Sequence, residues 1–198
     1  MLFTVRSLPQ GIGPTLALWR TYRTKHASVL SSYFATVFNE HLYQNHIFLF
    51  LAHALELYHQ INFDGAYSSP SEFRARIDKI TAAVPDEADW LQKRLANANM
   101  KTLADRLRDL VAAKSHFLEN LIGDTEAFVG SVKNTRHYYT HFDEQLLKKG
   151  KVADGGELVA LAQTMRTFLE AVFLDDLGLS DAVRAVVRRV RPTYIEGP

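Results

Sequence analysis

Residues 47–58, IFLFLAHALELY, are the longest apolar run in the chain and restrict its fold more than any other stretch. A membrane-spanning helix needs about 20 apolar residues. This run falls well short of that and contains His53 and Glu56. It reads as part of a long, buried core helix over about residues 42–61. Elsewhere Val, Ile and Thr never alternate convincingly with polar residues, so no strand is strongly indicated. MLFTV at the start is a weak strand candidate only. The expected fold class is all-α.

Local signals divide the chain into helices. Pro14 suits the opening of a first helix carrying Leu16, Leu18, Trp19 and Tyr22, and SVLSSYFATVF continues as a second. NFDGAYSS breaks the pattern after the long apolar helix. Ser69, Pro70 and Glu72 then form a start signal: a capping hydroxyl, a proline at the first helical position, and a glutamate three residues after the cap. That helix should reach about Ala83, where VPDEAD ends it and begins one carrying Trp90, Leu91 and Leu95. Leu103, Leu107, Leu110 and Val111 recur at helical spacing. Asp124 is a cap for the helix leading to residue 141, and KKGKVADGG reads as a mobile basic loop. A long helix over about 157–177 stops at Gly178, and Ser180 is the expected cap of a last helix ending before Pro192.

The chain has 198 residues, enough for one domain with a sizeable core. A formal charge of +1 names no partner, so any anion-binding surface must come from local clustering. There is no cysteine, which excludes disulfides and fits a reducing, cytoplasmic setting. The N-terminal MLFTVRSLPQGIG is broken by Arg6, Pro9 and two glycines and is not a signal peptide by pattern.

One stretch concentrates chemistry. NTRHYYTHF, residues 134–142, holds Arg136, His137, Tyr138, Tyr139 and His141. Arg136 and His141 are five residues apart, roughly 140° around an ideal helix. They can border one cleft if His141 lies at a fraying helix end, or meet across a twofold axis between two copies. Such a pair suits RNA cleavage, in which the 2′-OH is the nucleophile. Histidine supplies the acid and base, and a guanidinium offsets charge building on the phosphate. DNA lacks the 2′-OH and would be spared. No metal or other cofactor is required. Tyr138 and Tyr139 either stack on unpaired bases or pack. His137 and His141, four apart, also have the spacing of two zinc ligands, but the glutamate of a zinc-protease helix is missing and Asp143 is the nearest spare carboxylate. A partly buried helix end is the plain structural alternative. The histidines at 26, 41, 46, 53, 59 and 116 read as core or surface residues.

Three segments, in order, resemble the Apea-like HEPN domains, a family within a superfamily of helical domains that includes many ribonucleases. They are FLAHALELYHQ with its Leu55-Glu56 pair, LANANMKTLADRLRDLV, and VKNTRHYYTHF. The resemblance spans about residues 19–190 of a single domain covering 1–198. It implies a HEPN-type helical bundle, usually a homodimer, and an active-site pattern that falls here on Arg136, His137 and His141. His137 departs from the asparagine commonest at its position in Apea-like members. The resemblance further implies an endoribonuclease role in bacterial anti-phage defence by abortive infection. It also implies a separate N-terminal domain in larger members, so a chain starting at MLFTV fits either a truncated form or a short stand-alone homologue. A HEPN module without catalysis, binding RNA or nucleotide or serving dimerisation under a regulatory partner, is the alternative.

Two basic clusters lie beyond the motif. Lys148, Lys149 and Lys151 crowd the following loop, and Arg184, Arg188 and Arg191, flanked by Arg189, share one face of the last helix. Each is either an RNA-phosphate surface or a solvated face. Arg106 and Arg108, between Asp105 and Asp109, suit local ion pairs.

Overall fold

The computed structural model describes residues 8–188. Helices dominate: α1 Ile12–Lys25, α2 Ala27–Phe38, α3 Gln44–Asn62, α4 Pro70–Ala83, α5 Ala88–Leu95, α6 Leu103–Ala113, α7 Ser115–Ile122, α8 Thr125–His141, α9 Glu144–Lys148, α10 Gly155–Asp176 and α11 Ser180–Val187. Among the described residues the one β feature is an isolated bridge between Ala66 and Met100. MLFTV, Arg189, Arg191 and Pro192 lie outside the described residues, and α11 ends inside them at Val187, capped by Arg188.

The apolar run becomes the middle of α3, which buries Phe48, Leu51, Ala52, Ala54, Leu55, Tyr58 and His59. A helix this apolar needs neighbours on several sides. α3 has them in α2, α6, α8 and α10. Tyr33 and Thr36 of α2 reach Glu170 and Arg166 of α10, so these helices run antiparallel. Phe48, Phe128 and Phe168, from α3, α8 and α10, are fully buried at the centre.

The local signals explain most boundaries. Ser69 and Glu72 form a complete capping box with Pro70 in the first turn. Asp124 accepts from the amides of Glu126 and Ala127 at 2.9 and 3.0 Å. α1 begins at Ile12, two residues before Pro14, which still falls in the first turn where no amide partner is lost. Ser180 is not a cap. Gly178 (φ 71°) turns the chain, the Leu179 amide bonds back to Leu174 at 2.9 Å, and burial of Leu179 makes that residue the cap and Ser180 the first helical residue. Segment 149–154 is not a free loop either. It follows the short helix α9, capped by Asp143, and it buries Val152 and Ala153. Arg108 pairs with Asp105 as expected and adds Glu126 at 2.7 Å, whereas Arg106 is buried and donates to the Lys101 carbonyl.

A polar cluster joins α3 to α6. His59 is fully buried, and its Nε2 donates to Asp109 at 2.8 Å, which also accepts from Lys101 at 2.8 Å. Burial holds the His59 imidazole below its ordinary value of 6.5, outweighing Asp109; Arg106 and Lys101 push the same way as burial. The folded state thus binds this proton less readily than the unfolded chain. The stability it contributes is complete above about pH 6.5 and is lost as pH falls below that. The urea midpoint should therefore drop between about pH 7.5 and pH 5.5, and His59→Leu should flatten the drop. An identical slope in the variant would remove His59 as its source.

Candidate functional site on helix α8

α8 packs a stripe of Phe128, Val129, Val132 and Thr135 into the core, with Tyr139 continuing it against Phe48 at 6.4 Å between ring centroids. That stripe fixes where the remaining side chains point. Arg136, beside Thr135, faces α3, where its Nη2 meets Glu56 Oε2 at 2.9 Å. The guanidinium side chain is 39% exposed, so the ion pair steadies it without covering it. His137 and His141 lie one turn apart and are exposed, with ring centroids 4.8 Å apart. His137 Nε2 also stands 3.7 Å from Asp143.

α8 stays helical through His141, which is its last residue. Fraying therefore does not bring Arg136 and His141 together. The arginine is tied to α3, and the histidine sits with His137 on another side of the same helix. Tyr139 is half-buried, its hydroxyl donates to Asp154 at 3.4 Å, and burial together with Asp154 raises its pKa. Tyr138 is less committed and meets Tyr139 edge-on at 5.0 Å. Lys148 and Lys149 follow on and after α9; Lys148 pairs with Glu144 at 3.2 Å, and Lys149 is exposed. Arg184 and Arg188 are not brought to this end of α8. Arg184 belongs to α11 and Arg188 caps its end; that helix packs on α10 and α7 and begins past the far end of the 22-residue α10, on the order of 33 Å from its start. Arg184 pairs locally with Asp181. Among the described residues no group of three or more His, Asp or Glu side chains is placed to hold a metal ion.

Two features of the site were not read from the sequence. One is the ion pair between Arg136 and Glu56, which the motif on α8 alone does not announce. The other is the clip behind α8. Buried Thr135 accepts from the amide of buried Ala153 at 2.9 Å, which anchors the segment leading into α10. Thr135→Val keeps the shape and strands that amide. It should cost about 1–3 kcal/mol in denaturant unfolding and speed hydrogen exchange at the Ala153 amide; protection as in the parent would show that the clip is dispensable.

The family described as Apea-like HEPN matches residues 49–183, more than half of the 198 residues, and the chain belongs to that family. The matched region contains Glu56, Arg136, His137 and His141 and leaves out α1 and α2. No curated protein and no solved structure matches the chain.

Proposed function

We propose that this domain is a metal-independent endoribonuclease working as a homodimer in the cytoplasm. The observation that carries the reading is a steadied, partly exposed guanidinium on the same helix as an exposed histidine pair. His141 exchanges protons with the 2′-OH and the leaving oxygen. Arg136 binds the scissile phosphate and offsets its developing charge. His137 contacts the phosphate or orients His141. Products carry 2′,3′-cyclic phosphate and 5′-OH ends. Because Arg136 and His141 face different ways on one helix, a second copy across a twofold axis completes the cleft. Lys148 and Lys149 hold flanking RNA phosphates. Membership in a superfamily that includes many ribonucleases supports the reading, as it supports a role in anti-phage defence under a regulatory partner or further domain.

A second reading has its own observation. The Glu56 carboxylate sits where a phosphate oxygen would bind the arginine, which suits a module that binds RNA or dimerises without cutting. Incubating labelled RNA with the protein in EDTA separates the two. Cleavage by the parent chain, lost in the Arg136→Ala/His141→Ala double variant, supports the enzyme. Cleavage that survives the double variant sinks this site, and RNA binding with no cleavage by the parent favours the silent module.

A further inference from the structure

Phe142, the residue after His141, is the one non-glycine residue with positive φ among the described residues (φ 54°, ψ 42°). This left-handed conformation closes helix ends cheaply with glycine or asparagine and is unfavourable for an aromatic residue. Its amide bonds back to the Tyr138 carbonyl at 2.6 Å, and Asp143 then caps α9. The turn itself therefore has no use for a phenyl group. The ring is not there for the core either, since the residue is 73% exposed. Strain held at a position that lies outside the core points to function.

The ring is also braced. Buried Phe48 meets Tyr139 at 6.4 Å, Tyr139 meets Tyr138 at 5.0 Å, and Tyr138 meets Phe142 edge-on at 6.2 Å. A ladder of aromatic rings thus runs from the core to one exposed face beside the histidine pair. Bases stack on such faces without regard to sequence, because every base has a π-face.

We propose that Phe142, braced by Tyr138, is the platform on which an unpaired RNA base stacks, placing the adjoining phosphodiester at His141. The inference rests on the reading of this end of α8 as an RNA site. It adds a substrate requirement that the arginine and histidines do not impose: a base free to leave its helix, next to the bond that is cut.

The test uses 2′-fluoro oligo(A), which has bases and phosphates but no nucleophile, and an abasic oligomer of equal length. Phe142→Gly relieves the backbone, because glycine takes positive φ without cost, so its melting temperature should equal or exceed that of the parent. It should bind 2′-fluoro oligo(A) about tenfold more weakly and bind the abasic oligomer as the parent does. Phe142→Trp should keep the affinity. Equal affinity of Phe142→Gly and parent for the base-bearing oligomer overturns the platform while leaving the RNA site standing. Equal weakening for both oligomers overturns it too, as does a change of oligomeric state in Phe142→Gly, which would make the ring an interface residue. Failure of the parent to bind either oligomer overturns the RNA site and the platform together. Tight, Phe142-dependent binding without cleavage of ordinary RNA supports the platform and removes only the nuclease.

Discussion

His141→Ala is expected to slow RNA cleavage about a hundredfold or more while leaving the fold intact. His141 ends α8 and is exposed, so its loss opens no cavity. Arg136→Ala should slow cleavage by about a hundredfold to a thousandfold. That variant has a second consequence, because it leaves Glu56, whose side chain is only 22% exposed, without its cation. Glu56→Gln separates the two effects. It keeps the shape and removes the charge that orients the guanidinium, and it should reduce cleavage less than Arg136→Ala. Faster cleavage by Glu56→Gln would mean that Glu56 masks the arginine instead of positioning it. Rates equal to the parent in His141→Ala would end the assignment of the acid and base to this residue.

The second large effect concerns stability. Lys114, at the junction of α6 and α7, bridges Asp175 at 2.7 Å and Asp176 at 2.8 Å at the end of α10. Asp176 also accepts from the Tyr58 hydroxyl at 2.7 Å, which brings α3 into the same knot. All three charged side chains are largely shielded, at 16%, 23% and 19% exposure. Lys114→Met keeps the stem and deletes the ammonium that bridges two adjacent carboxylates; His116, 3.5 Å from Asp175, reaches only that one. Its expected cost is about 3 kcal/mol, seen as a melting temperature lower by about 10 °C. Adding Asp175→Asn should recover part of the loss, because the repulsion left behind falls. A Lys114→Met chain as stable as the parent would show that the knot is solvated in practice.

Much of the fold was legible where the signal is local. Ser69, Pro70 and Glu72, or Asp124 ahead of its helix, carry their instructions within one turn, and the apolar run of α3 could go nowhere but the core. What escaped depends on distant partners. α7 follows α6 after Lys114 with no glycine or proline to mark the break, and its Phe117, Leu118, Leu121 and Ile122 turn inward because the core lies on that side. The end of α10 set the register of α11 through burial of Leu179, which the serine at 180 could not reveal. At the site, residue types announced Arg136, His137 and His141. Their division between two sides of α8 was already in the five-residue spacing of Arg136 and His141; that the helix stays unbroken through His141, and that Glu56, eighty positions upstream, holds the arginine, was not. Phe142 was invisible because an aromatic residue is the last one expected in a left-handed turn.

The α4–α5 hairpin packs chiefly against itself and buries only Thr81 from its two helices. Its base is stapled: the Lys101 amide donates to the Gly65 carbonyl at 2.8 Å, the Tyr67 amide to that of Asn99 at 2.9 Å, and Ser68 and Asn99 bond each other. Both strands of chain thus enter and leave through one fixed doorway between α3 and α6. Lengthening a loop closed at such a doorway costs only about 0.6 kcal/mol for each doubling. The domain therefore has a port at which evolution, or an engineer, can exchange the whole accessory while α3 still hands Glu56 to Arg136.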